Sequence, residues 1–554
     1  MELSRRTFIR GFAVGGSAAL GLAALGLEAR PASAAGAAAS GPGDVVGKIT
    51  VGYQGWFACA GDGAPINGWW HWSQNWGQAP SPTNNAIKAW PDMREYANAC
   101  PTAYANLNGG GAATLFSSYD QQTVDTHFAW MKQYGCDTAA LQRFNPNGGE
   151  GATRDAMAQK VRSAAESHGV KFYIMYDVTG WTDMQSEIRT DWTNKMSAYT
   201  ASSAYARQNG KPVVCIWGFG LNDGNHPWSA SACLDVVNWF KGQGCYVIGG
   251  VAREWHVGGI GARSGYDDVY LAMNMVSPWM VGAIGSAAES DNAYNTYTVP
   301  DQAYCNAHGI DYQPCVLPGD VSAPQQRAHG DFMWRQFYNM VRAGVQGIYI
   351  SMFDEYGEGN QIAKTAENAS MVPSGSGLYA LDEDGTACSS DYYLRLTGDG
   401  GRMLKGQIAL TATRPTQPVV TGGTKVISLR SRANSDYVTA ENAGASPLIA
   451  NRTSIGPWEQ FDMVDAGGGN IALRAHANAQ YVCADNAGAS PLIANRTSVG
   501  QWETFRLINN ADGTVSLLAL ANNMYVTAEN AGSSALIANR TSIGPWEQFD
   551  LITN

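Results

Sequence analysis

Eight strand-like runs alternate with helix-like stretches between residues 48 and 360, and three copies of a 44-residue unit follow. Together they predict an α/β chain: a (β/α)8 TIM barrel with an all-β trefoil behind it. Length agrees, because 554 residues exceed what one hydrophobic core organises, so two domains plus tails are expected.

The strand candidates are 49–56, 138–144, 172–180, 212–220, 245–251, 269–276, 313–317 and 347–353. Amphipathic stretches such as 122–134, 154–168 and 325–343 lie between them. Apolar runs separated by helical patterns argue for parallel strands with helical crossovers. An open doubly wound sheet shares the pattern, but no glycine-rich dinucleotide fingerprint follows the first strand.

A barrel places its chemistry at the C-terminal ends of its strands. Tyr53-Gln54-Gly55-Trp56, Gln142-Arg143-Phe144 and Tyr176-Asp177 close the first three candidates. Trp217 closes the fourth, Arg253 and Glu254 follow the fifth, and Trp279 follows the sixth. The loop after strand one carries Trp69-Trp70-His71-Trp72, read as a wall of sugar-stacking rings. Strand eight delivers Asp354-Glu355-Tyr356-Gly357-Glu358-Gly359.

Hydrolysis of a glycosidic bond needs one carboxyl group to protonate the leaving oxygen and a second to support the oxocarbenium-like centre. Glu355 and Glu358 are close enough in sequence to face one barrel mouth, and they are the expected catalytic pair. The expected substrate contacts are Tyr53, Gln54, Trp56, His71, Trp72, Gln142, Arg143, Asp177, Trp217, Arg253, Trp279, Asp354 and Tyr356. For Arg143 and Arg253, pairing with acidic neighbours competes with substrate binding. The pattern asks for neither a metal nor an organic cofactor.

Composition narrows the function classes. Charged residues make up 15% of the chain and the formal net charge is -11, which argues against a nucleic-acid partner. With 18 Trp and 64 Gly, the chain suits a neutral polysaccharide or oligosaccharide, whose rings stack on aromatic faces. Arg5-Arg6 precedes a small-residue apolar run and Ala32-Ser33-Ala34, which reads as a Tat export signal over 1–34 and an extracellular destination. That run is too short and too rich in Gly and Ala for a spanning helix, and no later segment reaches ~18 apolar residues. Of 10 cysteines, Cys59–Cys100 and Cys305–Cys315 are candidate disulfides, while Cys483 reads as a buried small residue. The remaining boundaries are a catalytic domain over 45–404, a Thr/Pro/Gly-rich linker over 405–423 and the trefoil over 424–554.

The trefoil units are explicit. Tyr437, Tyr481 and Tyr525 open equivalent motifs 44 residues apart; Asn451-Arg452-Thr453, Asn495-Arg496-Thr497 and Asn539-Arg540-Thr541 recur with Trp458, Trp502 and Trp546. The pattern N-R-x-x-x-G-x-W-E-x-F resembles the fascin-like trefoils. The repeated Trp and Phe461, Phe505 and Phe549 are expected in the shared core. Attached to a barrel, such a module implies glycan targeting, which raises local substrate concentration.

The barrel also carries a resemblance. Met352 to Gly359, followed by Gln361-Ile362, resembles the strand-eight E-x-x-E-G motif of glycoside hydrolase families 71 and 99. Val51 to Phe57, Ala140 to Phe144 and Tyr176 to Trp181 resemble the related bacterial proteins labelled xylosidase or arabinosidase. The resemblance implies Glu358 as general acid/base and Glu355 as base on a substrate 2-hydroxyl, with retention through an anhydro-sugar. Family 99 commonly has Asn and Trp where this chain has Asp354 and Tyr356, so a simple acid-plus-nucleophile pair stays open, as does Asp177 as a third carboxylate. A catalytically idle carbohydrate-binding protein and a polysaccharide lyase are the alternative functions.

Overall fold

The computed structural model describes residues 40–323, 325–419, 425–467, 470–510 and 512–553. The export signal expected over 1–34 and part of the expected linker lie outside them. The chain divides into two units near residue 418.

The first unit is a closed parallel barrel. Its strands are β1 (Ile49–Tyr53), β2 (Thr138–Arg143), β3 (Lys171–Asp177), β4 (Lys211–Trp217), β5 (Tyr246–Val251), β6 (Met275–Pro278), β7 (Asp311–Tyr312 and Cys315–Val316) and β8 (Ile348–Ile350). Each pairs in parallel with its neighbours, and β8 pairs with β1 to close the ring. Pro314 interrupts β7 because it lacks an N–H; Asp311 and Tyr312 bond towards β6, and Cys315 and Val316 towards β8.

Helices cover the barrel's outside: α1 (Gln121–Gln133), α2 (Gly151–His168), α3 (Met184–Asn194), α4 (Ala230–Gly242), α5 (Asp267–Ala272), α6 (Ala287–Ala293), α7 (Val299–His308), α8 (Asp331–Ala343) and α9 (Tyr392–Leu404). Local chemistry starts three of them cleanly: Asp120 accepts from Gln122 N at 3.0 Å, Ser229 from Ala232 N at 3.2 Å and Ser286 from Glu289 N at 3.2 Å. The strand expected over 269–276 is shorter and later. Val269 lies in α5, whose first turn carries Asp267 and Asp268, acids favoured at a helix N-terminus.

Alternation along the strands divides side chains between the bore and the helix layer. Thr50 meets Gln313 inside the bore at 3.2 Å, and Gln142 meets Tyr349 there at 3.4 Å. Tyr53 points the other way and bonds His127 of α1 at 3.0 Å; Tyr96 bonds the same ring at 2.8 Å. Burial pushes the His127 imidazole down to about 3, so it bridges the two phenols as a neutral ring.

Cys59 and Cys100 form a disulfide. The second expected pairing does not form, since Cys305 is a buried free thiol. Cys305 sits on the helix side, whereas Cys315 is in register with the inward-facing Tyr349, so the sheet separates them. Much of the stretch expected as a linker coats the barrel: Trp334 donates to the Thr411 carbonyl at 3.1 Å, and Arg395 to that of Gln417 at 3.0 Å.

The second unit is a β-trefoil. Its strands are β9 (Lys425–Ser431), β10 (Tyr437–Ala440), β11 (Leu448–Arg452), β12 (Phe461–Gly467), β13 (Asn470–Ala475), β14 (Tyr481–Ala484), β15 (Leu492–Arg496), β16 (Phe505–Asn509), β17 (Val515–Ala519), β18 (Met524–Ala528), β19 (Leu536–Arg540) and β20 (Phe549–Thr553). A six-stranded barrel closes through β9, β12, β13, β16, β17 and β20. The hairpins β10–β11, β14–β15 and β18–β19 complete the three repeats.

Phe461, Phe505 and Phe549 fill the trefoil core, as expected, but Trp458 and Trp502 are exposed. The glutamate after each tryptophan explains this. Glu459, Glu503 and Glu547 turn inward to accept from Gly456, Gly500 and Gly544 N at 2.7, 2.8 and 2.8 Å, which turns the preceding indole outward. Cys483 is fully buried where Thr439 and Thr527 donate to Glu459 and Glu547 at 2.6 and 2.8 Å.

Asp301 on α7 is buried against Trp255 Nε1 at 2.9 Å and Tyr312 O–H at 3.1 Å, and burial raises its carboxyl to about 7. An acid raised in this way contributes stability below the ordinary aspartate range, and that contribution is lost as pH rises through 7. Asp301→Asn keeps a carbonyl oxygen for both donors. It is expected to be near neutral at pH 4 and to stabilise by a few kcal/mol at pH 8, given about 1.4 kcal/mol per tenfold in proton affinity. Thermal unfolding at the two pH values checks this.

Candidate active site

The segment after β8 is anchored at several points. Asp354 is buried and accepts from the Gln54 and Gly55 backbone N–H groups, each at 2.8 Å. Burial raises its carboxyl to about 6 despite those two donors. Glu355, 4% exposed, accepts from the Gln54 side-chain amide and from the Glu358 N–H, the latter at 3.1 Å. Its backbone carbonyl takes the Asn360 N–H at 3.0 Å. The loop after β1 and the loop after β8 are therefore stitched together around Glu355, with Glu358 half-buried one turn further on.

Arg327 fixes the far side of this loop. Its buried guanidinium donates to the carbonyls of Gly319 at 3.0 Å, Gly359 at 2.8 Å and Gln361 at 2.9 Å, and lies over the Tyr393 ring. Lys88 and Asp320 form an ion pair alongside.

The floor of the mouth consists of amides and rings. Gln142 reaches Tyr349, which also touches the sulfurs of Met175 and Met352 at 3.5 Å each. Trp279 lies between Tyr349 (6.4 Å) and Trp217 (5.6 Å, edge-on). Gly250 is required opposite Trp217, because a Cβ there would collide with the indole. Asp177 is inward-facing at the end of β3 and accepts from Thr179. Among the described residues, Gln54 Oε1, Gln142 Oε1 and both amide atoms of Asn360 are buried without a hydrogen-bond partner.

The expected contacts therefore sort into two sets. Gln54, Gln142, Asp177, Trp217, Trp279, Asp354, Glu355 and Glu358 are gathered at or beneath the mouth. Tyr53, Trp72, Arg143 and Tyr356 are not brought there, which corrects their expected role. Trp72 donates to the Phe116 carbonyl at 2.9 Å, and Tyr356 to that of Lys364 at 2.9 Å, both within an apolar cluster with Phe57. Arg143 is held in the helix layer by Asp191 at 2.5 and 2.6 Å and by Asp155 at 2.6 Å. Arg253 pairs with Glu254 at 2.6 Å.

The expected aromatic wall is thinner than its sequence. Trp69, Trp70 and Trp72 are core residues, and only His71 of that run stays half-exposed. Trp56 is stacked between His71 (3.7 Å, 13°) and Phe144 (5.6 Å, 19°), with Arg154 over Phe144 and Trp70. Sequence reasoning also missed Asn360, Arg327, Thr179 and His226. Arg327 has no local signal, since the carbonyls it binds approach it only in the fold, and Thr179 and His226, although next to Asp177 and Asp223 in sequence, meet each other only there.

No protein-family model matches the sequence, and no curated protein does. Solved structures with similar backbones include the GH99 endo-alpha-mannosidase from Bacteroides thetaiotaomicron, at 15% identity, covering 65% of this chain and 98% of that one, with a TM-score of 0.47. A designed 3-fold symmetric protein, ThreeFoil, is 27% identical over 24% of this chain and 99% of its own, with a TM-score of 0.22. An exo-beta-1,3-galactanase from Clostridium thermocellum is 12% identical over 26% of this chain and 33% of its own, with a TM-score of 0.22.

The placement of Arg143 makes a test. Removing one member of a buried ion pair leaves its partner's charge uncompensated, at a cost of about 3–5 kcal/mol. Arg143→Met is expected to destabilise the barrel by that amount in denaturant unfolding, through Asp191. A stable variant would return Arg143 to the list of substrate contacts.

Proposed function

We propose that the protein is a secreted glycoside hydrolase that cleaves O-glycosidic bonds in a polysaccharide or oligosaccharide with retention of configuration. The observation that carries this reading is the joining of Glu355 and Glu358 through the Glu358 N–H at the end of β8, above a floor of amides and indoles. Two carboxyl groups at one mouth supply the acid and the supporting carboxylate that glycoside hydrolysis requires. Two N–H donors converge on Glu355, which suits a group that works ionised. Glu358 is half-buried and accessible enough to exchange its proton with a leaving oxygen and then with water. Glu355 either activates the sugar 2-hydroxyl or attacks the anomeric carbon directly.

Export by the twin-arginine route belongs to the same reading, as does glycan binding by the trefoil. The exposed indoles of Trp458 and Trp502 support the latter, since they stand on equivalent positions of successive repeats and are flat enough to stack on sugar rings.

Purified protein incubated with arrayed polysaccharides, with product anomers followed by NMR, tests the main claim. Glu355→Gln and Glu358→Gln are each expected to lower turnover by about 10³-fold or more, because general acid–base assistance alone is worth about 10²–10⁴. Wild-type turnover in either variant would remove that residue from the chemistry. A 2-deoxy substrate analogue that is still cleaved would exclude the 2-hydroxyl route.

For the trefoil, Trp458→Ala combined with Trp502→Ala in the full chain is expected to abolish co-sedimentation with insoluble polysaccharide and leave Tm within about 2 °C of wild type. Undiminished co-sedimentation would remove the two indoles from the glycan contact.

A further inference from the structure

A second polar network stands at the same end of the barrel, away from the β8 loop. Asp177 Oδ1 accepts from the Thr179 N–H at 3.1 Å and from the Thr179 hydroxyl at 2.5 Å. Thr179 Oγ1 lies 3.1 Å from His226 Nε2, and His226 Nδ1 lies 2.8 and 2.9 Å from the two carboxylate oxygens of Asp223. Both Asp177 and the His226 ring are buried.

The site is built for this ring. Gly218 has a φ of +117°, and a Cβ there would stand 2.6 Å from His226 Cδ2, so only glycine both adopts the backbone and leaves room. Trp217 and Trp228 meet the imidazole edge-on at 5.6 and 5.8 Å. The loops after β3 and β4 are bonded to each other, Val178 N to the Trp217 carbonyl at 3.2 Å and Gly180 N to that of Asn225 at 3.0 Å. Arg263 holds the Asp223 loop through the carbonyls of Leu221 at 3.0 Å and Asp223 at 2.8 Å. The charged groups facing the ring are thus Asp223 directly, Asp177 through Thr179, and Arg263 behind Asp223.

Counting protons gives the inference. The chain Asp177–Thr179–His226–Asp223 has three side-chain contacts, and each needs one hydrogen. The threonine hydroxyl supplies one and a neutral imidazole supplies one. With both carboxylates ionised the third contact has none, and one additional proton in the network would fill it. We propose that Thr179 and His226 form a proton relay that stores this proton and delivers it to Asp177 in the mouth. In one arrangement His226 is an imidazolium that donates to Thr179 Oγ1 and to Asp223, while Thr179 donates to ionised Asp177. In the other, the Nε2 proton has moved to Thr179 Oγ1 and the original threonine proton has passed to Asp177 Oδ1. Asp177 and His226 are then both neutral, and the summed charge is unchanged. Thr179 and His226 are positioning residues that act through Asp177.

The role rests on the reading of the mouth as a glycosidase site; the proton count does not. The chain has eight histidines, so ¹⁵N-histidine labelling with a His226→Gln variant for assignment isolates this ring. At pH 7 without substrate, we expect either a doubly protonated His226, or a singly protonated His226 with a protonated Asp177 carboxyl in the ¹³C spectrum. A singly protonated ring beside an ionised Asp177 would overturn the count.

On whichever substrate proves active, Thr179→Val is expected to move one limb of the kcat/KM pH profile by about one pH unit or more and to lower kcat with little change in KM. Thr179→Ser should restore both. A wild-type profile in Thr179→Val would overturn the relay even if the proton is present. Absence of any glycosidase activity would fault the functional reading and leave the NMR result standing.

Discussion

Strand alternation inside a closed ring is the constraint on which the rest of the barrel depends. Once β8 pairs with β1, every strand residue faces either the bore or the helix layer, and neighbours in sequence take opposite sides. Tyr53 goes out to His127, while Gln54, just beyond the strand, goes in to Glu355. Gln142 goes in to Tyr349, and Arg143 goes out to Asp191. Tyr176 donates outward to the same Asp191 at 2.9 Å, and Asp177 is left in the mouth with Thr179. The outward residues anchor the helices and the inward ones form the candidate site.

The same economy of direction organises the trefoil. Each buried glutamate satisfies a glycine N–H within its own turn, and the indole before it is turned towards solvent. Two of the three repeats thereby expose tryptophan, at Trp458 and Trp502, while all three keep phenylalanine in the core. The middle repeat departs from its neighbours where Cys483 stands in place of Thr439 and Thr527. Its Asp485 grips Arg496 at 2.8 Å, whereas Glu441 and Glu529 each reach both an asparagine and an arginine.

Around the β8 loop, buried charge is managed by pairing and by backbone donors. Arg327 binds three carbonyls with no carboxylate among them, which spends a full guanidinium on the shape of the loop that carries Glu358. Asp354 gives both its oxygens to the β1 loop. Neither residue needs to touch a substrate to matter, because the two carboxyl groups above them are positioned only while this support is intact.

Much of this was legible in the sequence. Apolar runs with helical crossovers predicted the barrel, and a 44-residue spacing predicted the trefoil, because hydrophobic periodicity and self-similarity are local properties. Position at strand ends picked out Glu355, Glu358, Gln54, Gln142 and Asp177. Strand register was not legible, so Tyr53, Arg143, Trp72 and Tyr356 were grouped with the site although they point into packed layers. Arg327 acquires meaning only through carbonyls brought close by the fold, and Thr179 and His226 through their contact with each other. By itself the sequence determined which elements form and which residue types stand at their ends. Only the tertiary structure decided which of those side chains share a space, because a one-residue change of phase moves a side chain to the other face of the sheet.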